Sequence, residues 1–211
     1  ITRPIAVGAM MGEVDPDDLV RSDGARPGDT LILTKRVAVE GTAIITRELR
    51  DRLSETFDIE FLDRAAGFLH DPGISVVRDA AVIADAGEVH AMHDPTEGGV
   101  ATGIRELIRS AGCGAVIDAD RLPFYMETQA LCEELDLDPL GLIASGSLLA
   151  SVAPEAAPDI LHALEQQGIE ASAIGTVQEG DEILLRDGDQ VCPLPTFERD
   201  EIARLFEEPL P

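Results

Sequence analysis

The residues of this chain best suited to chemistry lie at positions 90–104, where a short apolar strand meets a tight turn and a helix. The turn contains His93, Asp94, Thr96, Gly98 and Gly99. Two glycines in the first turn of a helix cost about 1 kcal/mol each relative to alanine, so helix formation alone does not explain them. Glycines there allow bare backbone N–H groups to approach an oxyanion, which the helix dipole also attracts. The turn therefore predicts an anion-binding loop.

Each of these residues also has an ordinary structural interpretation. The glycine pair could instead serve the close packing of two backbone segments, and spacing alone does not separate the two possibilities. Asp94 is expected either to contact a ligand or to cap the following turn through an Asx hydrogen bond. Thr96 is predicted to cap the helix, because its hydroxyl can accept a hydrogen bond from a free N–H group of the first turn.

The sequence does not predict a metal site or a disulfide. His90 and His93 are three residues apart on a predicted strand, so their side chains leave opposite faces and do not converge on one ion. Cys113, Cys132 and Cys192 are odd in number and show no CxxC spacing. Neither a disulfide framework nor a zinc site is expected, and the chain is predicted to be reduced and cytoplasmic.

Composition excludes two classes of partner. The formal net charge of −25 argues against nucleic acid, which requires a basic surface, and against anionic membranes. No apolar run approaches the roughly 18 residues of a membrane span. Aromatic residues make up only 3% of the chain, so the core must consist of Ala, Val, Ile and Leu. Lys35 is the only lysine.

The pattern of predicted elements indicates an α+β fold. Strands are predicted at residues 1–10, 30–34, 89–92, 114–118, 143–152, 171–177, 182–186 and 190–192. Helices are predicted at residues 40–53, 57–69, 74–86, 97–110, 126–135, 154–168 and 199–207. Strands alternate with helices, but Asp187-Gly188 predicts a hairpin between the last two strands. We therefore expect a mixed β-sheet with helices packed on its faces.

Three motifs resemble one known family. Asp94-Pro-Thr-Glu-Gly-Gly-Val-Ala is similar to the Asp-Pro-Thr-x-Gly-Gly-[Val/Leu]-Ala signature of the aminoimidazole ribonucleotide (AIR) synthetase, or PurM, superfamily. Gly28-Asp-Thr-Leu-Ile-Leu-Thr-Lys resembles the strand that opens the C-terminal domain of these proteins. The run Leu135-Asp-Leu-Asp-Pro-Leu-Gly-Leu resembles the hydrogenase-maturation carbamoyl dehydratase (HypE-like) branch.

The resemblance implies that this chain is part of a longer enzyme. Residues 26–211 would form the AIR synthase-related C-terminal domain, and residues 1–25 would connect it to an N-terminal ATP-binding domain. ATP and Mg²⁺ would be bound mainly by that domain, and the full-length protein would be a homodimer. The whole enzyme would phosphorylate an amide or carbonyl oxygen of a small substrate. The loop residues named above would then hold a phosphate or another anion, with no catalytic residue assigned.

The sequence departs from the dehydratase pattern at two points. Glu97 stands where arginine is frequent, and its carboxylate would repel an incoming phosphate. The chain ends Glu-Glu-Pro-Leu-Pro211 rather than in the Pro-Arg-Ile-Cys tail that carries the carbamoyl group. Strict hydrogenase-maturation activity is therefore not expected. The alternative is a catalytically silent module of the same fold that senses an anion or a nucleotide.

Overall fold

The computed structural model describes residues 7–9 and 11–207. The strands of this part are β1 Thr30–Thr34, β2 Val89–His93, β3 Gly114–Asp118, β4 Leu149–Val152, β5 Ala171–Gln178, β6 Ile183–Asp187 and β7 Gln190–Pro193. The α-helices are α1 Val39–Glu48, α2 Arg50–Leu53, α3 Ile59–Gly67, α4 Val77–Ala86, α5 Gly99–Ser110, α6 Met126–Leu135, α7 Ala157–Gln166 and α8 Arg204–Glu207. No helix in the described ranges is long and apolar enough to cross a membrane.

The strands form one mixed sheet in the order β2-β4-β1-β5-β3-β6-β7. The β3–β6 pair is parallel and the other pairs are antiparallel. Leu149 at the start of β4 pairs with Leu33 of β1 and with His93 of β2. The ends of β1 and β2 and the start of β4 therefore lie at one edge of the sheet, here called the loop edge. The starts of β1 and β2 lie at the opposite edge.

Helices cover both faces of the sheet, as predicted. On β1, Leu31 and Leu33 belong to the larger core, which contains residues of α1, α3, α5 and α6. Ile32 points to the other face and packs in a second core with residues of α4 and α7. This alternation follows from the two-residue period of a strand. The α+β prediction is confirmed.

Three predicted elements differ from those in the structure. The strand expected at residues 143–152 contains only Leu149–Val152, because the N–H groups of Ile143 and Ala144 bond outside the sheet and Gly146 has a φ of +110°. The long helix expected at residues 40–53 breaks at Leu49, which has φ −109° and ψ 21°. The expected terminal helix is a 3-10 turn, Glu201–Ala203, followed by α8. The strand expected at residues 1–10 lies largely outside the described residues.

Candidate functional site at the loop edge

The predicted anion loop, residues 94–99, connects β2 to α5 at the loop edge. Helix α5 begins at Gly99 and is capped by Gly98, which is left-handed at φ +77° and has no side chain to bond the first turn. The prediction that Thr96 caps this helix was wrong. Gly98 and Gly99 both have positive φ, so the helix starts three residues beyond Thr96. The Thr96 carbonyl instead accepts hydrogen bonds from the N–H groups of Gly99 at 3.1 Å and Ala144 at 3.2 Å.

The two glycines play different parts. A Cβ atom on Gly99 would lie 2.3 Å from the carbonyl oxygen of Leu140, so Gly99 permits close backbone packing. The N–H group of Gly98 donates to Oδ2 of Asp200 at 2.8 Å. The packing interpretation therefore accounts for Gly99, whereas Gly98 presents its N–H group to an anion that belongs to the chain itself.

The two polar residues at the end of β2 have different surroundings. His93 is three-quarters buried, and its Nε2 atom lies 2.8 Å from Oε2 of Glu106 on α5. Asp94 is exposed, and among the described contacts its carboxylate has no hydrogen-bond or ion-pair partner. The Asx cap considered for Asp94 is therefore not formed, and its carboxylate faces solvent beside the loop.

A second loop meets the first at the same carboxylate. Oδ1 of Asp200 accepts hydrogen bonds from the N–H groups of Ile143 at 3.2 Å and Ile202 at 2.9 Å. Gly98 and Ile143, from two separate loops, thus donate to the two oxygens of one carboxylate. Sequence reasoning missed Asp200, since it lies 102 residues from Gly98 and no local pattern joins them.

Lys35, directly after β1, contacts the segment before β4 and the segment before α4. Its side chain is buried, and its Nζ atom lies 2.8 Å from the Gly146 carbonyl, 2.9 Å from the Ser75 carbonyl and 3.0 Å from Oδ1 of Asp79. Thr34 also donates to Asp79, at 2.6 Å. Lys35 has a positive φ of 53°, which is uncommon outside glycine. In the sequence, Lys35 stood out only because it is the sole lysine and directly follows a predicted buried strand.

Lys35 also lines a cleft of about 360 Å³. Other residues lining the cleft include Asp71, Ser75, Arg78, Tyr125 and Glu170. Arg36 donates to Glu170 at 2.6 Å, and this hydrogen bond is the main reason why the pKa of Glu170 is lowered. The cleft is therefore polar, with most of its charged groups already paired.

Glu40 is the one residue whose buried side-chain oxygen, Oε2, lacks a hydrogen-bond partner in the described part of the chain. It lies in the first turn of α1, and the N–H group of the next residue, Gly41, donates to the Ile143 carbonyl at 3.0 Å. Burying a polar atom without a partner costs about 1–3 kcal/mol. The sequence analysis did not single out Glu40, because one acidic residue in the first turn of a helix is ordinary.

His90 belongs to a separate network at the opposite edge. Its Nδ1 atom lies 2.8 Å from Oδ1 of Asp29, and its Nε2 atom lies 2.9 Å from Oε1 of Glu88. The contact with His90 lowers the pKa of Glu88. His93 points instead toward α5. The two histidines therefore diverge, as their spacing on a strand predicted.

Comparison with known proteins identifies the family. A family model described as AIR synthase related protein, C-terminal domain, matches residues 26–187, and the chain belongs to this family. Carbamoyl dehydratase HypE of Rhizobium leguminosarum bv. viciae is 37% identical over 169 residues, which cover 79% of this chain and 45% of that protein. The chain thus spans about half the length of the curated relatives that it matches.

Solved structures show the same fold. The crystal structure of E. coli HypE, a hydrogenase maturation protein, has a TM-score of 0.70 and 25% identity, covering 86% of this chain and 54% of that one. A structure of the hydrogenase maturation protein HypE in complex with ATP has a TM-score of 0.69 and 21% identity, covering 90% and 57%. The predicted resemblance to the PurM superfamily and its HypE-like branch is therefore confirmed.

Proposed function

We propose that this chain is the C-terminal domain of an ATP-dependent enzyme, with residues 1–25 connecting it to an N-terminal ATP-binding domain. The whole enzyme transfers the γ-phosphoryl group of ATP to an amide or carbonyl oxygen of a small substrate. A P–O bond forms to that oxygen, the bond to the β-phosphate oxygen breaks, and ADP leaves. The phosphorylated oxygen is then a good leaving group for attack or dehydration. We expect a cytoplasmic homodimer.

One observation carries the assignment of the site: the N–H groups of Gly98 and Ile143 converge on a carboxylate. Backbone N–H groups at the start of a helix favour oxyanions through hydrogen bonds and through the helix dipole. The loop of residues 94–99 therefore binds the phosphate or other anionic end of the substrate or nucleotide. Gly98 is its donor, Gly99 and Thr96 shape the turn, and His93 and Asp94 border it.

ATP and Mg²⁺ are held mainly by the rest of the protein. The described residues contain no group of three or more His, Cys, Asp or Glu side chains able to hold a metal ion. The N–H donors of the loop edge suit phosphate oxygens but not a cation. This chain therefore contributes donors to an anion, and no step of the reaction is assigned to a metal bound by it.

Two carboxylates at the loop edge have an oxygen without a partner among the described residues. Asp94 is exposed and has no partner among the described residues, so it can accept a hydrogen bond from the N–H group of a substrate amide. The buried Oε2 atom of Glu40 also lacks a donor in the described part of the chain. Such placement of a reacting group is the main contribution that proteins make to phosphoryl transfer. Similarity to carbamoyl dehydratase HypE and to a structure of HypE in complex with ATP supports this class of reaction.

The proposal is tested by ADP release from the full-length protein with carbamoyl, thiamine and purine-intermediate substrates. Asp94→Asn keeps an acceptor but loses the charge that strengthens the hydrogen bond, so it should lower kcat/KM for the active substrate by about 10-fold. Asp189→Asn, in the exposed turn between β6 and β7, is the matched control and should leave kcat/KM unchanged. Unchanged kcat/KM in Asp94→Asn would remove Asp94 from the site.

The chain of residues 1–211 by itself should release no ADP, since the proposed nucleotide-binding half is separate from it. Steady ADP release by this chain, purified free of other proteins, would contradict the proposal that a separate N-terminal domain binds the nucleotide.

A second candidate, a catalytically silent anion sensor, is favoured by Glu97 and by the carboxylate of Asp200 at the donor pair. It predicts that the full-length protein binds phosphate and releases no ADP with any member of the panel.

A further inference from the structure

The C-terminal segment, residues 194–207, crosses the loop edge after β7. Arg105 on α5 donates to the carbonyl oxygens of Leu194 and Pro195. The Phe197 ring packs on Gly141, where a Cβ atom would lie only 2.5 Å from it. The buried Glu201 carboxylate accepts the Asp138 N–H group at 2.9 Å. The segment lies beyond residues 26–187, the part that matches the family model.

Asp200 is the residue of this segment whose carboxylate accepts a hydrogen bond from the Gly98 N–H group. Its two oxygens accept three backbone hydrogen bonds, two of them from Gly98 and Ile143 of the domain beneath. No cation pairs with this carboxylate in the described part of the chain. Backbone N–H groups that converge without a cation form the kind of concavity that binds phosphate and other oxyanions.

We propose that Asp200 is an internal occupant of this anion subsite, and that a phosphate group of the enzyme's ligand must displace it. The C-terminal segment then acts as a gate: it covers the subsite when Asp200 is bound and uncovers it when phosphate binds. This inference rests on the proposed function of the loop, since it presupposes that Gly98 and Ile143 bind an anion.

The gate follows from competition at one pair of donors. Each N–H group donates one strong hydrogen bond, so Asp200 and a phosphate oxygen cannot both occupy the donor of Gly98. A phosphate group and the Asp200 carboxylate next to the same N–H group would also repel each other, because both are negatively charged. The apparent dissociation constant for phosphate is the intrinsic one divided by the fraction of molecules in which the segment is open. A segment closed in nine molecules of ten therefore weakens binding about 10-fold.

The test compares inorganic phosphate binding by the chain and by its Asp200→Asn variant, measured by calorimetry at constant ionic strength. Asparagine keeps the shape of the side chain but removes its charge and turns one acceptor into a donor. We expect phosphate to bind Asp200→Asn about 10-fold more tightly or better. Glu198→Gln removes the same charge from an exposed position of the same segment and should leave the affinity unchanged.

Two further measurements address the motion itself. Arg105→Met removes the hydrogen bonds to Leu194 and Pro195 without touching Asp200, and it should also tighten phosphate binding. In the unchanged protein, phosphate should speed tryptic cleavage after Arg204, because the segment that holds this residue becomes free. If Asp200→Asn does not fold, these two measurements decide the question.

The outcomes separate the gate from the site. Equal phosphate affinity in the unchanged chain, Asp200→Asn and Arg105→Met, with no change in cleavage, would make Asp200 a fixed structural contact. The gate would then be wrong while the anion site stands. No phosphate binding by any of the three proteins would overturn the anion site itself, and the gate with it.

Discussion

The two edges of the sheet treat their carboxylates in opposite ways. At the opposite edge, Asp29 accepts hydrogen bonds from Ser151 Oγ at 2.6 Å and from the Arg26 N–H group at 2.9 Å, and its Oδ1 atom lies 2.8 Å from His90 Nδ1. At the loop edge, Asp94 has no partner among the described residues and Glu40 has a buried oxygen without a donor. One edge is a closed network, and the other leaves acceptors open.

This difference separates structural from functional polar groups. A fully satisfied buried network fixes the geometry of the chain and contributes to stability. A buried acceptor without a donor lowers stability, and backbone residues outside their preferred region cost about 1–3 kcal/mol each. The loop edge contains two such residues, Lys35 at φ +53° and Ala38 at φ +58°. We infer that the loop edge is maintained for ligand contact rather than for stability.

The largest expected effect compares one carboxylate from each edge. Asp29→Ala removes the acceptor of three contacts and should lower the free energy of unfolding by about 3 kcal/mol or more. Asp94→Ala removes an exposed carboxylate that has no partner within residues 7–9 and 11–207, and it should change the free energy of unfolding by less than about 0.5 kcal/mol. Urea denaturation measures both. Equal losses in the two variants would end the distinction between the edges.

The next effect concerns the packing of Gly99. Gly99→Ala should lower the free energy of unfolding by about 3 kcal/mol, from overpacking against Leu140 and from a left-handed φ of +68°. Gly112 has nearly the same φ, +67°, but open space around its Cβ position. Gly112→Ala should therefore cost only about 1 kcal/mol. Equal costs would show that Gly99 is needed for its dihedral angles alone.

A smaller effect should depend on pH. Burial raises the pKa of Asp138, with a further contribution from Glu201. A carboxyl whose pKa is higher in the folded than in the unfolded state loses stability as the pH rises through these values. Asp138→Asn keeps an acceptor for the Leu140 N–H group and should raise stability at pH 7 by less than about 1 kcal/mol, because the half-buried charge is screened.

This gain should shrink as the pH falls toward 4, which thermal unfolding between pH 4 and 8 would show. Asp120→Asn, at an exposed position, is the control. A gain that does not depend on pH would mean that the charge of Asp138 is not its cause.

The last prediction concerns the reactivity of the three thiols and not the stability of the fold. Burial raises the pKa of Cys132 to about 12 and also raises the pKa of Cys113, whereas Cys192 is exposed. One thiol per chain should react with a disulfide reagent at pH 8, and all three after unfolding. Cys113 is the thiol next to the Asp29 network, so it should become reactive in Asp29→Ala. Fast reaction of two native thiols would show that the opposite edge is open.

The sequence predicted the elements whose signals are local. Residues 30–34 are apolar or β-branched, and they form the predicted buried strand. Residues 126–135 form the predicted helix. Residues 143–148 were assigned wrongly to a strand, because their apolar character reflects burial in a loop rather than pairing in the sheet. Periodicity reports which residues are buried, but it does not report where their N–H groups bond.

The candidate site could be predicted only in part. The Gly98-Gly99 pair marked the loop, and its motif identified the family. Lys35 stood out in the sequence as the sole lysine. Its partners, the carbonyl groups of Ser75 and Gly146, could not be predicted, because they lie 40 and 111 residues away in the sequence. Asp200 lies in an acidic stretch with no motif around it, so nothing near it in the sequence indicated a contact with Gly98.

By itself the sequence determined the α+β fold class, the family and the position of the loop, because periodicity, turn residues and short motifs depend on neighbours in the chain. The tertiary structure decided that Gly99 packs against Leu140 while Gly98 donates to a carboxylate. It also decided which acidic residues have partners and which do not. These properties depend on the sheet register, which places β1, β2 and β4 side by side and brings residues as distant as Gly98 and Asp200 within 2.8 Å.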